Sequence, residues 1–164
     1  MCASSMAKKS GAKEQSGPPT VRNRRARFDY ELIETFEAGL ELVGAEVKSI
    51  WRGRANLTDA FCTVREGELW LTNSDVEPYE HATQFQPERR RDRKLLLHRR
   101  EIDLIFRRSQ EKGLTIIPTR LYFKNGKVKA EIALARGKKS YDKREQIAAK
   151  ETRRETERMR TMRD

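Results

Sequence analysis

Histidine and cysteine are scarce in this chain, with two of each among 164 residues. His81 and His98 belong to no metal-ligand spacing, and Cys2 and Cys62 make neither a zinc pattern nor a disulfide framework. No phosphate loop and no nucleophile elbow occurs. Carboxylates are plentiful, but Glu31, Glu34 and Glu37 suit a solvated strand face as well as an acid–base pair. Nothing in the pattern gathers such groups in a pocket, so neither catalysis nor a metal nor a cofactor is expected. Long apolar runs are missing too: no stretch approaches the roughly 20 residues of a membrane span, and the start of the chain lacks a signal peptide's apolar centre. A cytoplasmic protein without a membrane partner is the expectation. Cys62, in an apolar segment, reads as a small core residue.

Acids fall short of bases, 25 against 36, for a net charge of +11. The surplus sits at the two ends. Residues 1–27 hold seven bases and one acid, residues 136–164 hold eleven bases and six acids, and residues 28–135 carry 18 of each. A neutral folded centre between basic arms suits a nucleic-acid binder, whereas a membrane-surface protein needs a basic amphipathic stripe that is not present.

Residues 1–20 are rich in Ser, Gly, Lys and Ala and bury too little to offset the entropy of ordering, so a disordered basic leader is expected. From Phe28 the even positions are mostly apolar and the odd ones polar, as in a half-buried strand, and a phase slip at Ile33 and Glu34 predicts a bulge. The spacing of Val47, Ile50 and Trp51 predicts a short helix over 44–52, ended at Gly53. Residues 60–73 read as a hairpin turning at Glu66 and Gly67, and residues 119–135 as a second turning at Asn125 and Gly126, with Pro118 at a strand start or an edge. Leu95, Leu96 and Leu97 suggest a short buried turn, His98 a cap or packing residue, and Ile102, Ile105 and Phe106 a helix that stops at Gly113. Five or six strands with small helices predict a mainly β fold, an OB-like antiparallel barrel with about three helices over residues 21–135. In residues 136–164 only Tyr141, Ile147, Met159 and Met162 are scattered apolar side chains, so this basic tail is expected to be disordered when free and helical on a partner.

Two basic segments could meet RNA. Residues 23–27 (NRRAR) place three arginines beside the first strand, where guanidinium groups pair with phosphates or stack on bases, although a basic run can also be a solvated linker. Residues 89–108 carry nine bases against three acids, a density that favours RNA over a solvated helix. Six acids and no base lie between Asp29 and Glu46, and any of them touching RNA must accept hydrogen bonds from base or ribose groups.

These segments, in order, resemble the SsrA-binding (SmpB) family. NRRARFDY at 23–30 is similar to its opening motif; TFEAGL at 35–40, EVKS at 46–49, GRANLTD at 53–59, RDRKLLLH at 91–98, LYFKNGKVK at 121–129 and ARGKKSYDKR at 135–144 follow. The resemblance spans about residues 21–164 and implies a non-enzymatic escort of transfer-messenger RNA to stalled ribosomes. It implies that Asn23, Arg25, Arg27, Tyr30, Glu37, Glu46, Lys48, Arg91, Arg93 and Lys94 bind the tRNA-like part of that RNA. The tail positions Gly137, Lys138, Lys139, Tyr141, Asp142, Lys143, Arg144, Ile147 and Met159 would enter the decoding region and the empty messenger path, the protein acting as a monomer. Tyr30 also reads as a core residue, Glu46 as a helix N-terminal charge and Gly137 as a point of flexibility. The family usually carries Arg after Lys-Ser-Leu, whereas here Ile50 is followed by Trp51 and then Arg52. A structural ribosome-associated protein that holds ribosomal RNA permanently is the alternative.

Overall fold

A computed structural model describes residues 18–83 and 85–161. Most of the basic leader, with Cys2, and Met162 in the tail lie outside the described residues. In chain order the elements are β1 (Val21–Arg22), α1 (Ala26–Asp29), β2 (Tyr30–Leu40), α2 (Gly44–Trp51), β3 (Ala55–Asn56), β4 (Phe61–Arg65), β5 (Glu68–Thr72), β6 (Asp75–Val76), β7 (Arg93–Leu96), α3 (Arg99–Lys112), β8 (Thr115–Lys124), β9 (Lys127–Gly137) and α4 (Ser140–Thr161).

Strands β8, β4, β5, β7, β2 and β9 pair in that order, all antiparallel, and β9 returns to β8, closing an OB-like barrel. Closure follows from sequence alternation: Leu69, Leu71, Leu95, Leu121, Ile132 and Leu134 all point inward and are fully buried. Helix α2 adds Ile50 to this core and α3 adds Ile105. The phase slip at Ile33 and Glu34 is a register shift of β2 against β9, between Leu32 and Glu34. Both hairpins turn where expected. Glu66 and Gly67, like Asn125 and Gly126, have φ between 51° and 74°, the left-handed pair that a two-residue turn matched to strand twist requires. Gly113, at φ 58°, ends α3, and the Leu114 N–H reaches back to the Ser109 carbonyl at 3.0 Å. At the other end of α3 the Glu101 carboxylate accepts the His98 N–H at 3.1 Å.

Four features depart from the sequence reading. Pro118 lies inside β8, at a register shift between Pro118 and Arg120, where the broken ladder needs no N–H. The leucines at 95 and 96 belong to a strand, with only Leu95 buried and Leu96 facing outward. Phe28 and Asp29, expected to open the first strand, belong instead to the short helix α1. The tail, expected to be helical on a partner, is the 22-residue helix α4, which makes four helices where about three were expected. None of its residues is buried. Helix formers without Gly or Pro, and a pair such as Arg153–Glu157 at 3.6 Å, support it locally. No helix among the described residues is long and apolar enough to cross a membrane.

Candidate nucleic-acid interface

Asn23 sets the shape of the arm at residues 21–29. Its Nδ2 donates to the carbonyls of Leu57 at 2.9 Å and Pro118 at 3.0 Å, its Oδ1 accepts the Ala26 N–H at 3.1 Å, and its own N–H reaches Thr119 O at 2.8 Å. With Asn23 and Ala26 buried, the alternate positions Arg22, Arg24, Arg25 and Arg27 face outward. Arg22, Arg24 and Arg27 line a groove of about 420 Å³ together with Thr119, Arg120 and Glu131. Arg120 pairs with Glu131, and its guanidinium lies 5.0 Å from the centre of the Tyr122 ring. Four guanidinium groups against one carboxylate make an anion-binding surface, suited to phosphate. Arg25 turns the other way, toward Asp29 at 3.4 Å and Asp59 at 3.6 Å. Tyr30 is half-buried against Ala26, Ile117, Ala133 and Ala135.

The tail begins beside this arm. Gly137 ends β9 opposite Tyr30. The next residue, Lys138, donates its N–H to Asp29 O and its Nζ to Arg27 O, both at 2.9 Å. Lys139, Tyr141, Asp142, Arg144, Ile147 and Met159 are exposed, and Lys143 is held by Asp29. A hydrogen bond to Glu145 raises the Tyr141 hydroxyl above its ordinary pKa.

The basic segment at 89–108 uses most of its charge within the fold. Glu46, only 3% exposed, accepts from Arg91 Nη2 at 2.6 Å and from Arg93 Nε at 3.0 Å, while its Oε2 also takes the Val43 N–H at the start of α2. Burial pushes this carboxyl up, but the Arg91 hydrogen bonds, the Val43 N–H and Arg93 outweigh it and leave it below its ordinary value. Arg93 is 1% exposed and also donates to the Ser74 carbonyl at 2.9 Å and hydroxyl at 2.8 Å. Lys94 pairs with Glu68 at 2.5 Å, Arg89 with Asp75, and Arg108 with Glu34. Among the described residues, Arg90, Arg100 and Arg107 have no carboxylate partner. Of the ten positions that the resemblance implies for RNA, Asn23, Glu46 and Arg93 therefore have their polar groups engaged inside the fold.

Glu37 stands on the outer face of β2, where it accepts the Tyr122 hydroxyl and the Lys124 ammonium at 3.1 Å. The Tyr122 hydrogen bond, then Lys124, holds its carboxyl below the usual range, while partial burial and that same hydrogen bond push Tyr122 up to about 12. Lys48 projects from α2 with its Nζ 5.3 Å from the Tyr79 ring centre. Arg22 and Arg24 flank positions that the motif already marked, but Arg120 joins them only through the pairing of β1 with β8, a contact between distant segments that periodicity does not announce. Among the described residues no group of three or more His, Cys, Asp or Glu side chains is placed to hold a metal.

The family model described as SmpB protein matches residues 20–162. The chain belongs to the SmpB family. An SsrA-binding protein of Syntrophomonas wolfei is 50% identical over 148 residues, which cover 90% of this chain and 94% of that protein. One from Thermobifida fusca is 50% identical over 154 residues, 93% and 96% of the two chains. A solved structure described as "tmRNA-SmpB: a journey to the center of the bacterial ribosome" matches with a TM-score of 0.64 at 45% identity, over 74% of this chain and 86% of that one. The SmpB match thus takes in the barrel, the arginine arm and the tail helix, so all three are family features rather than additions to it.

Proposed function

We propose that the protein is an RNA-binding escort, not an enzyme: it binds transfer-messenger RNA and takes part in ribosome rescue and peptide tagging by trans-translation. One arrangement carries this reading. The arginine groove and the root of an exposed basic helix lie side by side, joined by the pairing of Tyr30 with Gly137. A rigid barrel that presents phosphate-binding guanidinium groups can hold a folded RNA, while a helix with no buried face is free to enter a second, RNA-lined site. On this reading the groove arginines, Arg25 and Lys48 meet the tRNA-like part of the RNA, and Gly137 to Met159 meet the decoding region and messenger path. Asn23, Glu46 and Arg93 act by positioning, Asn23 through the arm and the other two through α2 and the segment around Arg91.

The test is binding of the tRNA-like fragment across a salt series. Replacing Arg24 and Arg27 by Ala lowers the affinity and flattens the slope of log K against log salt by about 1.4–1.8, from about 0.7–0.9 for each phosphate no longer neutralised. An unchanged slope removes the groove from the interface. A chain that accumulates on ribosomes in equal amounts but binds no free transfer-messenger RNA is instead a structural ribosomal protein.

A further inference from the structure

Trp51 closes α2 and is 53% exposed, although it is one of only two tryptophans in the chain. Its ring is not loose. It meets Phe123 edge-on, with centroids 5.0 Å apart and planes at 76°, and Phe123 is itself packed against the barrel core. Two cations stand together on the same helix end. Lys48 lies one turn back and Arg52 is the next residue; both are drawn over Tyr79, the Arg52 guanidinium 4.9 Å from its ring centre. The acids of the neighbouring loop are already paired, Glu80 with Arg54 at 2.5 Å and Glu77 with Arg89 at 3.9 Å. This end of α2 adjoins the arm, because a Cβ on Gly53 would lie 3.2 Å from Pro19 Cγ, two residues before β1.

We infer that Trp51 is a stacking platform for one unpaired base of the bound RNA, with Lys48 and Arg52 taking the phosphates on either side of that base. The inference rests on the RNA-binding reading above and names a contact for it. An indole held by one perpendicular aromatic contact and still half-exposed leaves ring surface for a base without a further ordering cost, and every base has a face to lay on it. Two cations held together beside the ring match the charge of the backbone that carries the stacked base and runs past one edge of it. Buried phosphate is not required, so the two contributions separate experimentally: stacking does not depend on salt, and the flanking phosphate pairs do.

The experiment uses the full chain with Trp70→Phe, which leaves Trp51 as the sole indole, titrated with the tRNA-like fragment of transfer-messenger RNA. Trp51 emission should be quenched as the RNA binds. Trp51→Ala should weaken binding about five- to hundredfold with an unchanged salt slope, and Trp51→Phe should recover most of the loss. Lys48→Ala with Arg52→Ala should lower the slope instead. Because the ring is half-exposed, thermal melting should show both Trp51 variants folded; should Trp51→Ala unfold, Trp51→Phe and the quenching still decide. Unchanged emission at saturating RNA, or wild-type affinity in a folded Trp51→Ala chain, overturns the platform. A parent chain that binds no fragment overturns the RNA-binding reading itself, and quenching by a protein component of the ribosome but not by RNA assigns the ring to a protein partner.

Discussion

Lys143, in the first turn of the tail helix, holds its Nζ 3.0 Å from a carboxylate oxygen of Asp29. Asp29 is the last residue of α1, and its other oxygen faces Arg25 at 3.4 Å. One side chain thus touches both the arginine arm and the tail. Partly exposed pairs of this kind contribute about 1 kcal/mol or less. Asp29→Asn should therefore leave the barrel's stability within that margin while it loosens the tail root. The expected result is faster hydrogen exchange of the amides at 138–143, with the affinity for RNA unchanged or slightly higher as Arg25 loses a competing carboxylate. Unchanged exchange would mean that the two backbone-carbonyl contacts of Lys138 alone hold the root.

The Glu46 network makes a different demand. Removing the carboxylate leaves Arg93 charged and buried without its partner, a situation that costs about 3–5 kcal/mol. Glu46→Gln should lower the melting temperature markedly, and its loss of RNA binding should follow the loss of folded protein. Since the carboxyl lies below its ordinary value of 4.5 in the folded chain, its contribution is fully present above pH 4.5 and fades as the pH falls through the folded value. The acid limb of the stability curve should be shallower in the variant. A fully folded Glu46→Gln chain that still fails to bind RNA would restore the side chain to the interface.

Glu37 can be read by titration as well as by binding. Tyr122, raised to about 12 by burial first and the Glu37 hydrogen bond second, should move part of the way back toward 10.0 in Glu37→Gln. Ultraviolet titration of the tyrosines measures this directly. With its remaining acceptor capacity turned to RNA, Glu37→Ala should weaken binding yet leave the salt slope nearly unchanged. Tighter binding on removal would mean that the acid only screens Lys124 from phosphate.

Elements whose cause is local were legible in the residues. The Asn125–Gly126 turn, the bulge beside Ile33 and the stop at Gly113 each follow from backbone conformations that a few residue types favour. Side-chain fates settled by distant segments were not. Arg91 and Arg93 stand two apart in one basic run and both reach Glu46, yet Arg91 precedes β7 and stays partly exposed, whereas Arg93 opens that strand and is 1% exposed against Ser74 and Glu46. Asn23 reads as a polar arm residue until Leu57 and Pro118 are brought to it across the barrel. The short ladder of β3 with β6 has too few residues to show any period. A helix without an apolar stripe also gives periodicity nothing to detect, so of α4 only its helix formers and its exposure were legible, not its bounds.

The division of labour between barrel and tail gives the most discriminating test. β9 runs to Gly137 and the barrel closes without any residue of α4, so a chain stopped after Arg136 should keep its fold. It should bind the tRNA-like fragment with near full-length affinity, because the groove of Arg22, Arg24, Arg27 and Arg120 is intact. Its salt slope should be unchanged as well, which separates specific binding from general attraction to the tail's surplus of bases. Peptide tagging on stalled ribosomes should nevertheless be lost. Asp142, Lys143 and Arg144, replaced together by Ala, should reproduce much of that loss, since they supply both signs of charge for phosphate and base-edge contacts at the root of the helix. The triple variant also removes the Lys143–Asp29 pair, so Asp29→Asn is its control: if that single change costs as much tagging as the triple, the residues matter for aiming the tail rather than for touching ribosomal RNA. A truncated chain that tags at the full-length rate would reduce the tail to a charged appendage and end the decoding-site mechanism.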